Sequence, residues 1–178
     1  MLLTSIPGPS YAGTITTALA TIFTSARWIV ILHAVIGEIA VLTYLWIIAE
    51  LINNQKNSLA RIKWVSFGGV VLFFLNWFLS GYYYIVYYER FAEPAIENTS
   101  LMWVNSIIME VKVNIFKFLP ILALFVFVLM YSLPEWFSNM KMPRKPVYAI
   151  CILNVFLGFI MVGFGYLVSA TIRANLGK

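Results

Sequence analysis

The chain is predicted to be an all-α integral membrane protein: an antiparallel bundle of four transmembrane helices preceded by a short N-terminal interfacial helix. Three observations predict it. Of 178 residues, 62% are hydrophobic and only 11% are charged, whereas ordinary globular chains carry about 25% charged residues. The mean hydropathy is +0.88. Four apolar stretches each reach the ~20 residues a helix needs to cross the hydrocarbon core, and short polar segments separate them.

Residues 1–26 are read as an extended lead and an interfacial helix, and residues 27–178 as the four-helix domain. The lead has no basic n-region, and Pro7, Gly8 and Pro9 interrupt it, so it does not read as a signal peptide. Span one covers about residues 28–51, with Arg27 and Trp28 at one interface and Glu50, Asn53 and Asn54 at the other. A basic connection follows, with Lys56, Arg61 and Lys63. Span two covers about residues 64–88 and ends in the aromatic run SGYYYIVYYERF, of the kind found at headgroup level. The next connection is acidic (Glu89, Glu93, Glu97) and holds Pro94 as a breaker. Span three, about residues 102–131, contains WVNSIIMEVKVNIFKFLPILALFVFVLM, and Lys141, Arg144 and Lys145 follow it. Span four covers about residues 147–171, with Arg173 and Lys178 beyond.

Lys and Arg bias sets orientation. The connections at residues 52–63 and 132–146 hold six basic residues, against four on the opposite side (Arg27, Arg90, Arg173 and Lys178). The positive-inside rule therefore places them in the cytoplasm and both termini outside, in a cell inner or plasma membrane. The same clustering reads the net charge of +5 as a topology signal and an affinity for anionic lipid, and argues against a nucleic-acid partner. The single Cys151 forms no internal disulfide. No HExxH, Walker A, CxxC or GxGxxG pattern is present. No connection is long enough to carry a soluble active site.

Polar residues inside the spans carry the functional expectation, because they are expensive there and usually face a partner or a wet cavity. At 1.5 Å per residue, His33 lies roughly 8 Å into the membrane, Glu38 roughly 15 Å, Glu110 roughly 10 Å, Lys112 roughly 14 Å and Lys117 roughly 21 Å, all from the outer side. Asn76, Ser80 and Tyr83 of span two fall in the same half. Ser106, Glu110, Asn114 and Lys117 form one helical stripe, and Asn76, Ser80, Tyr83 and Tyr87 form another. Asn154, Gly158, Gly165 and Ser169 give span four a small-residue face. Lys112 points roughly 160° away from Glu110, and Glu38 about 140° away from His33, at 100° per residue. The expected site is His33, Glu38, Asn76, Glu110, Lys112, Asn114 and Lys117, a buried proton-handling or cofactor-binding cluster, with His33 and Glu110 as candidate metal ligands.

Each residue has a plainer use. His33 serves equally as a structural, hydrogen-bonded histidine. Glu110 with Lys112 or Lys117 makes an ion pair that fixes helix order. The tyrosines form an interfacial belt, and Cys151 packs.

His33 in WIVILHAVIGE and Lys112 in WVNSIIMEVKV resemble, over these two short stretches, small membrane haem-b proteins of the copper-resistance-D and protoporphyrinogen-oxidase-J kind. The resemblance implies a haem site at His33. Bis-histidine ligation within one chain is excluded, because His33 is the sole histidine. A haem would need another second ligand, five-coordination or a second subunit.

The leading expectation is a subunit of a membrane redox or proton-handling system, associated with a haem, quinone or metal ion. The alternatives are an oligomeric transporter or channel for a small solute or ion, and a non-catalytic assembly subunit. The partners expected are the lipid bilayer and other membrane subunits or further copies of the chain.

Overall fold

A computed structural model describes residues 11–53, 58–97, 99–132 and 144–176. The lead 1–10, residues 54–57 of the first connection, Asn98, residues 133–143 of the third connection, and residues 177–178 lie outside the described residues. The chain is nearly all helical. Its elements are α1 (Tyr11–Asn53), α2 (Ser58–Tyr83), a π-helical segment (Tyr84–Ala92), α3 (Glu93–Glu97), a second π-helical segment (Val104–Met109), α4 (Glu110–Phe116), α5 (Phe118–Ser132) and α6 (Arg144–Leu176). Four stretches are long and apolar enough to cross a membrane: Arg27–Asn53, Ser58–Ala92, Val104–Ser132 and Lys145–Ala174.

α1 runs unbroken from Tyr11 to Asn53. The segment read as a separate interfacial helix is therefore continuous with span one. Its sequence explains this: no proline or glycine lies between Gly13 and Gly37, so nothing interrupts the i→i−4 ladder. The acidic connection is also largely helical. Pro94 sits in α3, which continues directly from the π segment, the Glu93 N–H still bonding Tyr88 O. Span three behaves differently. Its helix breaks at Lys117, between α4 and α5. Pro120 has no N–H to give the carbonyl of Phe116 four residues before it, so the ladder opens there.

α1 packs against α2 and α6, α2 against α5, and α5 against α6, closing a ring of four long helices. The core inside the ring includes Tyr44, Ile47, Phe73, Leu119, Ala123 and Cys151, all nearly inaccessible. Tyr44 and Phe73 meet in a tilted ring contact at 5.7 Å between centroids. Two glycines set how closely the helices approach. Gly158 of α6 lies against Val41 of α1, where an added Cβ would collide with the valine methyl. A Cβ on Gly69 would stand 2.6 Å from Thr43 Oγ1 and 2.8 Å from Tyr44 Cε2. Outside the ring, large apolar side chains stand in the open: Trp28 is 66% exposed, Phe78 69% and Tyr166 69%.

One end of the molecule is tied by a charged clasp. Arg61 donates through Nε to Glu50 Oε1 at 2.6 Å and through Nη2 to Oε2 at 2.8 Å. Ser58 Oγ donates to Oε2 at 2.9 Å, and Trp46 Nε1 to Oε1 at 3.2 Å. The carboxylate thus holds the start of α2 against the end of α1. Nearby, the Lys63 ammonium lies 5.5 Å from the Tyr131 ring centroid, within cation–π range.

Candidate functional site: a cationic cavity between the helices

The other end holds a cavity of about 760 Å³ between α1, α2 with its π extension, α4 and α6. Arg27 is separated from Glu50 by twenty-three positions on one helix, or ~35 Å, so the cavity and the clasp occupy opposite ends.

Each wall follows from a helical stripe. On α2 and the π segment after it, Ser80, Tyr83 and Tyr87 line the space, and Asn76, on the same stripe, is 3% exposed. On α6 the small-residue stripe faces inward: Asn154 and Gly158 are buried, and Gly165 and Ser169 line the cavity with Arg173. Arg173 Nη1 donates to Ser169 Oγ at 3.1 Å. On α1, His33 faces in and Glu38 is exposed on the outside, consistent with the 140° between them. His33 has Asn76 and Lys112 as polar neighbours, and its ring meets Phe116 edge-on at 5.8 Å. Its Nδ1 is buried without a hydrogen-bond partner, as is Asn76 Oδ1. Gly37 makes room for the Asn76 carboxamide, since a Cβ there would lie 2.8 Å from Asn76 Nδ2.

Span three requires a correction. The stripe Ser106, Glu110, Asn114 and Lys117 does share a face, but all four residues are exposed. The opposite face looks inward and carries Lys112, whose Nζ lies over Gly165, 3.5 Å from where a Cβ would stand. Spacing along a helix sets the angle between two side chains, but packing decides which of them turns inward. Among the described residues, Glu110 makes no ion pair with Lys112 or Lys117, so the pair expected to fix helix order does not form within the chain. Lys117 instead donates to Asn114 Oδ1 at 3.4 Å and, from the helix break, still borders the cavity. Among the described residues, no three His, Cys, Asp or Glu side chains gather to hold a metal ion.

The structure therefore brings together His33, Asn76 and Lys112, with Lys117 at the edge. Glu38, Glu110 and Asn114 lie on outward surfaces. Sequence reasoning placed Arg27 and Arg173 only at interfaces, yet both line the cavity. A signal for Arg173 was present: it continues the Gly165–Ser169 stripe at four-residue spacing.

The π segments shape the aromatic wall. Bonding from i to i+5 widens each turn, and side chains four apart then stack. Tyr84 and Tyr88 lie at 5.5 Å with a 17° interplanar angle, and Tyr83 and Tyr87 at 6.1 Å and 23°. A short network joins the two π segments to α3. Tyr88 Oη donates to Asn105 Oδ1 at 2.7 Å, and Asn105 Nδ2 donates to Glu93 Oε1 at 3.0 Å.

Comparison with protein-family models, curated proteins and solved structures finds no match. His33 and Lys112, the residues that carry the short resemblance to membrane haem-b proteins, both line this one cavity.

Proposed function

We propose that the chain is an integral membrane protein, an antiparallel bundle of four spanning helices with both termini outside. In this reading it is a ligand-binding subunit of a membrane redox or proton-handling system. The observation that carries the reading is the convergence of His33 and Lys112 on one cavity, with Asn76 buried beside His33, inside helices of spanning length. The large exposed apolar side chains support immersion in lipid, because a water-soluble monomer rarely presents such continuous apolar surface. The orphaned His33 Nδ1 supports a ligand, because a buried nitrogen without a partner is costly and a bound group would satisfy it.

A haem fits the residues present in one respect: a single histidine with an unpartnered ring nitrogen on an aromatic-lined cavity. When bound, it would supply electron-transfer chemistry. His33 would hold it, Asn76 would orient the imidazole, and the cations at the mouth would receive its carboxylates.

An absorption spectrum and metal analysis of the gently purified chain, with haem b titrated into wild type and His33→Ala, test the reading. A Soret band that depends on His33 is the expected result. No band, no metal and no spectral difference between the two proteins would overturn it.

A second reading rests on Glu38. Its carboxyl stands exposed on the apolar outer surface of α1, where an uncompensated charge is costly in lipid. A partner helix carrying a donor would relieve it, making the protein an assembly subunit or a homo-oligomer. Glu38→Gln should then lower recovery of the complex in co-purification, and unchanged recovery would remove this reading.

A further inference from the structure

The cavity's charge is one-sided. Arg27, Lys112, Lys117 and Arg173 all line it, and among the described residues no carboxylate does. Glu110 of span three faces outward, and Glu50 of the clasp is engaged by Arg61 ~35 Å away. Cations gathered around a partly enclosed space repel one another, and an anion joining them offsets that repulsion. Lys112 is the most enclosed of the four, and Gly165 leaves space beside its ammonium.

Beyond the cations, His33, the tyrosines and the two serines, the lining is apolar. Val30, Ile31, Trp77, Ile85, Val113 and Phe91 complete the walls. Ile31, Trp77 and Ile85 are also 43%, 41% and 58% exposed on the outer apolar surface. The cavity therefore opens between the helices onto the surface that faces lipid. A compact hydrophilic anion would satisfy the cations but leave this apolar half empty.

We infer that the cavity binds an anionic amphiphile, its phosphate or carboxylate head received by Lys112 with Arg27 and Arg173, and its aliphatic body lying along Val30, Ile31, Trp77 and Ile85. Charge-assisted bonds from several cations to one head group supply affinity and select by charge. The apolar walls supply the chain's share at about 0.8 kcal/mol per buried methylene. The inference needs the cavity but no redox group on His33. A silent haem titration leaves it standing, and a silent lipid titration leaves the His33 reading standing.

The test uses the full chain in a neutral detergent, with three probes: 1-oleoyl-lysophosphatidate, 1-oleoyl-lysophosphatidylcholine and inorganic phosphate. Native mass spectrometry reads stoichiometry, and the thermal unfolding midpoint reads binding. The expected result is a one-to-one complex with the lysophosphatidate, about tenfold or more tighter than with the zwitterionic lipid of the same chain. Lys112→Gln should weaken it by about tenfold, Lys112→Arg should retain it, and Lys63→Gln at the far end should leave it unchanged. If Lys112→Gln does not fold, the rim double variant Arg27→Gln/Arg173→Gln reads the same loss. Equal affinity for the two lipids would overturn the inference, as would undiminished binding by the charge-removing variants. Inorganic phosphate competing at concentrations comparable to the lipid would also overturn it, since the site would then serve a free anion.

Discussion

The two ends of this molecule treat charge in opposite ways. At the clasp, one carboxylate meets one guanidinium in a two-bond fork, with Ser58 and Trp46 filling the remaining acceptor positions. The charges cancel inside the chain, and nothing is left for a ligand. At the cavity, four cations and a histidine face a common space with no acid among the lining residues. The sequence contains enough carboxylates to have paired them, and Glu110 is only two positions from Lys112. Packing turns the two to opposite faces. The difference teaches that charged residues in apolar helices are not one category. A closed pair is architecture, and an open set of one sign is a request for something from outside.

The largest effect should come at the joint both ends share. Gly158→Ala drives a methyl into Val41, and overpacking of this kind costs about 1–3 kcal/mol. The thermal midpoint in detergent should fall while the selectivity of the cavity for anionic lipid survives. Loss of selectivity along with stability would mean the two ends are not separable.

Next comes Asn105→Ala, which strips the buried Tyr88 hydroxyl of its acceptor and Glu93 of its donor. An unsatisfied buried group costs about 1–3 kcal/mol. Hydrogen exchange should rise across the π segment Tyr84–Ala92 and not at the clasp. Uniform loosening would contradict a local role for the network.

At the clasp, Glu50→Gln should lower the midpoint, and so should Arg61→Gln. The double variant should lose less than the sum of the two, which a double-mutant cycle measures. Additivity would show that the fork contributes nothing as a pair.

The smallest stability effect, and one of opposite sign, belongs to Lys112→Met. Without ligand it should leave the midpoint unchanged or raise it, because it removes an enclosed cation with no ion-pair partner among the described residues. A loss as large as that of Glu50→Gln would erase the contrast between the ends.

Much of this architecture was readable from residue order. Four apolar stretches of spanning length need only hydropathy. The stripe Asn76–Ser80–Tyr83–Tyr87 faces inward, with Asn76 buried and the other three lining the cavity. The stripe Ser106–Glu110–Asn114–Lys117 turned outward, because periodicity measures relative angle and carries no information about absolute rotation. That rotation is set by neighbours far away in sequence, here by Gly165 admitting the Lys112 side chain. The break at Lys117 was implicit in Pro120. The π segments were not readable: a change from i→i+4 to i→i+5 bonding leaves composition untouched, and only the stacked tyrosines betray it afterwards.

The Glu50–Arg61 fork joins residues eleven positions apart. Contacts so close in sequence form early, because little loop-closure entropy opposes them. During synthesis, α1 and α2 can therefore dock as a hairpin before the later helices exist. The cavity cannot, since it waits for Gly165, Ser169 and Arg173 of α6, which is made after the other helices that line it. The clasp is in this sense an assembly jig, and the cavity takes shape only when the ring has closed.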